Sequence, residues 1–276
     1  MKHITIVLLS LFMLIAQTSE GQVAQTDKLI VHYLDNFPFA YTGNEGNLTG
    51  IEVDLIMAFA DWMRRTKEVK LSIEFIDYTD FAKLYERLKS PSTGNHIGLA
   101  SATITAERRK EVDFTPPYMK NVSLLVSNVD VPTLRAYSDM PEYFKNMTAL
   151  VMRSTVLENH LLDIQKKHHE KMRVSYVEHP VDVVRQIAAT NDQYYGYVDV
   201  LTYWAELKRE PMNVKIHRIA NLDNQRFGLM LPKNSPYLAY WQEFMEAGFG
   251  FAATETYYNI LSRHLSYEVL ETVSLH

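Results

Sequence analysis

Downstream of residue 27 the apolar pattern switches repeatedly between two periods, and this alternation limits the fold more than any other feature. Residues 28–34, 71–76, 97–100 and 122–127 have strand character. Between them lie stretches with helical spacing, such as 51–65, where Ile51, Leu55, Ala58, Phe59 and Trp62 share one face, and 80–88. The second half follows suit. Strands are predicted at 147–152, 172–177, 195–200, 214–219 and 227–231, and helices at 155–169, 180–190 and 201–209, with 241–265 mostly helical. A Ser154/Thr155 pair supplies the start signal for the 155–169 helix. Strands alternating with helices imply an α/β fold with mostly parallel sheets. At 276 residues the chain has room for one large domain or two ordinary ones.

The N-terminus departs from this pattern. Lys2 and His3 precede an almost wholly apolar run at 4–16, and a polar stretch follows at 17–22. That is the layout of a secretory signal peptide, expected over residues 1–21 and cleaved; the run is short of the roughly 20 residues a membrane span needs. A soluble exported protein starting near Gln22 is expected. Cysteine is absent, which excludes disulfides, thiolate metal sites, a thiol nucleophile and a lipid-modified N-terminal cysteine. The net charge of −5 argues against a nucleic-acid partner.

The densest chemical signal is residues 101–118, where hydroxyl residues follow a strand end and lead into a short charged helix. Ligands of open α/β sheets sit outside the carboxyl ends of strands. Thr103 offers a hydroxyl there, and Arg108 a planar fork suited to a carboxylate. The same residues also fit a helix cap and a solvated helix charge, and spacing alone favours that reading. His168, His169 and Glu170 close a Lys-rich helix and read as a solvated face.

The segment resembles the signature of the amino-acid-binding family of bacterial periplasmic solute-binding proteins, the receptors of ABC importers. Ala100, Thr103, Ile104, Thr105, Glu107, Arg108, Val112, Phe114, Pro117 and Tyr118 match it, with Thr115 for a serine. Gly50-Ile51-Glu52-Val53-Asp54-Leu55, downstream of Pro38-Phe39, and Asn224 to Lys233 are similar to two further family segments, in family order. The resemblance implies a type II periplasmic-binding-protein fold: two α/β lobes joined by two hinge strands. Lobe 1 is expected at 27–120 plus 225–276 and lobe 2 at 121–224.

It also implies a site. Arg108 matches the arginine that grips a ligand α-carboxylate, Thr103 a hydroxyl beside it, and Ser101 a residue whose backbone meets the ligand's charged end. Ser154 and Thr155 align with a hydroxyl motif at a helix start, where free amides suit an anion. Asp199 aligns with the aspartate that pairs with the α-ammonium. Tyr78 stands where an aromatic wall is usual, and Phe37 is a second aromatic candidate. Arg153 replaces a glycine and either enters the cleft, favouring an acidic ligand, or points to solvent. Asn36 stands where some relatives stack an aromatic.

The implied function is extracytoplasmic, periplasmic capture of a small polar solute, above all an amino acid, by a monomer that is not an enzyme and carries no cofactor or metal. Its partner would be an ABC permease or a membrane sensor. An alternative is an enzyme on the same fold, such as a cyclohexadienyl dehydratase-like protein, with Asp77, Asp80 or His96 as acid or base.

Overall fold

The computed structural model describes residues 25–90 and 94–275, so the expected signal peptide lies outside the described residues. β1 (Gln25–Leu34) opens a first sheet. A small hairpin of β2 (Tyr41–Thr42) and β3 (Leu48–Thr49) follows, and then α1 (Ile51–Thr66). β4 (Val69–Tyr78) returns parallel to β1 on one side. After α2 (Phe81–Lys89), β5 (His96–Leu99) pairs parallel with β1 on its other side. α3 (Arg108–Glu111) and β6 (Asp113–Phe114) complete this passage.

β7 (Met119–Asn128) carries the chain into a second sheet. There α4 (Met140–Tyr143), β8 (Thr148–Met152), α5 (Val156–His168), β9 (Arg173–Val177), α6 (Pro180–Ala188) and β10 (Tyr194–Asp199) follow in turn. α7 (Val200–Arg209) and β11 (Val214–Ile216) come next. β12 (Leu222–Phe227) runs back antiparallel to β7, with Phe227 opposite Met119. β13 (Met230–Leu231) then inserts between β5 and β6 of the first sheet. The C-terminal region adds α8 (Tyr237–Glu246), α9 (Glu255–His264) and α10 (Tyr267–Val273). No described helix is long and apolar enough to cross a membrane.

The sheets are ordered β4-β1-β5-β13-β6 and β11-β7-β10-β8-β9, with β12 beside β7. The fold is the two-sheet α/β arrangement expected, but the sheets are mixed rather than mostly parallel. Strands joined through a helix, β1 to β4 and β8 to β9, are parallel, because a crossover brings the chain back in the same direction. Where the chain passes between sheets, β7 meets β10, β11 and β12 antiparallel, and β13 does the same to β5 and β6. The predicted strand 227–231 is accordingly the end of β12 and the whole of β13. The predicted helical run 241–265 is broken between α8 and α9, around Gly248 and Gly250.

Each sheet has its own apolar core. On α1, Leu55, Phe59 and Met63 recur every fourth residue and are buried. Phe59 stacks on Trp241 of α8, with ring centroids 4.0 Å apart. In the second sheet Phe144 stacks on Tyr195 of β10, also at 4.0 Å. Fully burying one such ring contributes about 1.5–3 kcal/mol by area.

Candidate functional site

Both sheets reverse their strand order once within the parallel part. The chain leaves β1 for β4 and crosses back over β1 to β5; likewise it leaves β8 for β9 and crosses back to β10. Such reversals leave a crevice outside the carboxyl ends of the strands. A single cavity is bounded by both: by Ala100 to Thr103 after β5, and by Met152, Thr155, Val198 and Asp199 at the ends of β8 and β10. Asn121 and Ser123 of β7, the strand that joins the sheets, also line it.

The first-sheet wall is held by contacts distant in sequence. Ser101 has a φ of +44°, and its amide donates to both carboxylate oxygens of Glu52, at 3.1 and 3.4 Å. Glu52, in the first turn of α1, is 0% exposed and accepts from the Tyr118 hydroxyl at 2.6 Å. Burial pushes its pKa up to about 7, against the pull of those two hydrogen bonds. A side chain at Gly50, where φ is +131°, would strike the Phe39 carbonyl, so only glycine lets α1 start this close to the loop. The Asn36 amide donates to the Ser101 hydroxyl at 3.1 Å.

Arg108 opens α3 and turns its guanidinium back to donate to the Thr103 carbonyl at 3.0 Å, over the Phe81 ring. Burial lowers its pKa, yet an arginine remains a cation at any physiological pH. Among the described residues no carboxylate pairs with it. The Asn121 amide donates to the Thr103 hydroxyl oxygen at 3.0 Å and to Gln225 Oε1 at 3.2 Å. That leaves the Thr103 hydroxyl hydrogen directed elsewhere, available to an acceptor in the cavity.

The second-sheet wall is built from helix starts. Asp199 ends β10 and caps α7, accepting from the Thr202 amide at 2.9 Å and the Thr202 hydroxyl at 2.7 Å. Burial raises its pKa, opposed by those bonds, and no cation of the described chain neutralises it. Thr155 caps α5: it accepts from the Glu158 amide at 3.1 Å and donates to the Met152 carbonyl at 2.8 Å. Val156 and Leu157, whose amides belong to the first turn of α5, line the cavity beside it. Such amides have no intrahelical partner.

Of the residues expected at a site, the structure brings Ser101, Thr103, Arg108, Thr155 and Asp199 to this cavity. Four others stand away from it. Ser154 is exposed at a φ of +61°, its amide donating to Glu158. Arg153 lies 3.5 Å over the Tyr176 ring, held by a cation–π contact. Tyr78 is the last residue of β4 and packs edge-on against His32. Phe37 is 42% exposed against Tyr41. The aromatic residues that line it are instead Phe39, Phe81, Tyr197 and Phe227. Phe81 is the first residue of α2, just after the cap Asp80, and stands three residues beyond Tyr78.

Sequence reasoning missed Asn121 and Ser123. Their signal is two polar residues at i and i+2, on one face of the strand. Both are buried, and Asn121 Oδ1 and Ser123 Oγ have no hydrogen-bond partner among the described residues. Asp77, Asp80 and His96 are not at the cavity. His96 is buried against His32, 2.8 Å between ring nitrogens, and Asp80 is occupied as a helix cap.

The sequence profile of bacterial extracellular solute-binding proteins, family 3, matches residues 29–264. ABC transporter arginine-binding protein 1 of Escherichia coli (strain K12) is 26% identical over 192 residues, covering 69% of this chain and 70% of that protein. Among solved structures, an ancestral arginine-binding protein bound to arginine superposes with a TM-score of 0.65 at 21% identity, covering 89% of this chain and all of that one. An ancestral amino-acid-binding protein described as a precursor of cyclohexadienyl dehydratase gives 0.64 at 19% identity, covering 87% and 95%. At such identities the structures speak for the fold, the type II periplasmic-binding-protein arrangement, and the profile match speaks for kinship. The chain belongs to family 3 of the bacterial extracellular solute-binding proteins.

Proposed function

We propose that this protein captures a free α-amino acid outside the cytoplasmic membrane and delivers it to an ABC importer. The observation that carries this reading is a pair of opposite charges without ionic partners among the described residues, Arg108 on one wall of the cavity and Asp199 on the other. Desolvating either alone is costly, and a zwitterion neutralises both. The ligand carboxylate takes the Arg108 fork and the Thr103 hydroxyl, with the amides at the start of α5 on its other side. The ammonium takes Asp199.

Because the two anchors belong to different sheets, a ligand that engages both favours approach of the walls. We assign the moving bodies as residues 27–120 with 225–276, and residues 121–224. The strands β7 and β12 between them form the hinge. The arginine-binding ABC relative of Escherichia coli supports import over stand-alone sensing. Export through residues 1–21 to the periplasm and action as a monomer with a permease belong to the same proposal. An enzymatic role is disfavoured because the candidate acids and bases Asp77, Asp80 and His96 stand outside the cavity.

A thermal-shift screen over the common amino acids tests this. A ligand at 100 times its dissociation constant stabilises the fold by about 2.7 kcal/mol. At least one α-amino acid is expected to raise the melting temperature, and Arg108→Ala and Asp199→Ala each to abolish the rise. No shift with any amino acid, or a shift that both variants keep, defeats the reading.

A further inference from the structure

We infer that the amino acid taken by this cavity has an uncharged side chain, unlike the arginine of the relatives named above; the inference rests on the binding mode just proposed. Among the described residues, Arg108 and Asp199 are the only side chains lining the cavity that carry a full charge, and the ligand backbone uses both. The remaining wall is mostly apolar. Phe39 and Phe81 face it from the first sheet, and Met152, Val156, Leu157 and Val183 from the second.

A guanidinium or ammonium side chain would therefore enter without a second carboxylate to receive it. Glu52, the other carboxyl tied to this loop, is fully buried behind Ser101 and engaged by Tyr118. Glu158 is committed to the Ser154 amide. A carboxylate side chain fares no better, because Arg153, the cation that would favour an acidic ligand, is stacked on Tyr176 and absent from the lining. The polar capacity that remains is neutral: the buried oxygens of Asn121 and Ser123, which lack partners among the described residues. They accept a hydrogen bond from an uncharged group but cannot neutralise a second charge.

Isothermal titration of the purified protein with leucine, methionine, phenylalanine and glutamine, and with arginine, lysine, aspartate and glutamate, tests the inference. The charged set is expected to bind roughly 100-fold or more weakly than the best neutral amino acid, the penalty for an unpaired buried charge. A charged amino acid bound as tightly as the best neutral one overturns the inference and leaves the binding mode standing. No binding by any of the eight overturns the binding mode, and the inference with it. A second variant works in the opposite sense. Leu157→Glu places a carboxylate on the apolar wall, in the first turn of α5 where a negative charge suits the helix. It is expected to raise arginine affinity at least tenfold relative to glutamine; an unchanged ratio counts against an apolar subsite at this wall.

Discussion

The two walls of the cavity carry one charge each but hold it by different means. The loop that Arg108 grips through the Thr103 carbonyl is fixed by tertiary contacts: Ser101 to Glu52, Glu52 to Tyr118, Thr103 to Asn121. These join elements 18 to 66 residues apart. Asp199 and Thr155 are fixed locally, each capping the helix that follows it. The first wall is therefore a product of the finished fold, whereas the second is formed wherever its strand-to-helix turns form. On the first wall, the binding residue and the residues that hold it are separate. On the second they are the same residue, so function and stability are coupled there.

Arg108→Ala should separate the walls most sharply. Removing one partner of a desolvated charge pair costs binding about 2–5 kcal/mol. The melting temperature of the free protein should change little, since Arg108 has no ion-pair partner among the described residues to lose. Calorimetry for binding and a melt for stability read the two effects independently; a large drop in stability would make Arg108 a structural residue. Asp199→Ala should lose binding and also about 1 kcal/mol of fold stability, the usual value of a helix cap. Asp199→Asn keeps the cap and should lose only binding. If Asn and Ala destabilise equally, the coupling of the two roles on this wall is wrong.

Thr155→Ala comes next, with a cap loss of about 1 kcal/mol and a smaller effect on affinity. A further effect is one of pH. Glu52 has a folded pKa of about 7 against an ordinary 4.5, so the folded state holds more protons than the unfolded state between those values. Its contribution to stability is complete below pH 4.5 and declines as the pH rises towards 7. Thermal melts across that range should show the stability of wild type relative to Glu52→Gln falling with rising pH; a flat difference would show that Glu52 is not buried behind the loop. His32 and His217 act in the opposite direction. Burial lowers both to about 4, so their contribution declines as the pH falls from 6.5 towards 4.

How much of this was legible in the sequence follows the same division. Thr155 was readable as a helix start because caps are local, a short-range pattern of a hydroxyl after a strand and before a helix, whereas Asp199 was named through the family resemblance. Arg108 and Thr103 stood out as candidates because they follow a strand end within a few residues, but their roles, and the choice of Ser101, came from the family resemblance. The aromatic wall was misplaced by three positions because pairing of Tyr78 with Leu34 extends β4 past the predicted end at residue 76. Asn121 and Ser123 were invisible for a deeper reason. β7 reads as an ordinary buried strand, and only the passage between two sheets leaves its polar face against a cavity. The mixed strand directions were missed likewise, since a strand's sense depends on which connections lack a helix. Short α10 was missed because seven residues give too little periodicity to register.

The insertion of β13 between β5 and β6 bears on the order in which the molecule can be assembled. All strands of the second sheet lie between residues 119 and 227, so that sheet is continuous in the chain. The first sheet has a gap until residue 231 arrives, although its other strands are among the earliest made. In a polypeptide delivered from its N-terminus, the wall bearing Asp199 is therefore finished before the wall bearing Arg108. The early strands β1, β4 and β5 wait, with β5 lacking its neighbour, for a two-residue strand made more than 130 residues later. A truncation ending before β13 would keep every ligand contact proposed here in its sequence, yet would leave the Arg108 wall without its closing strand.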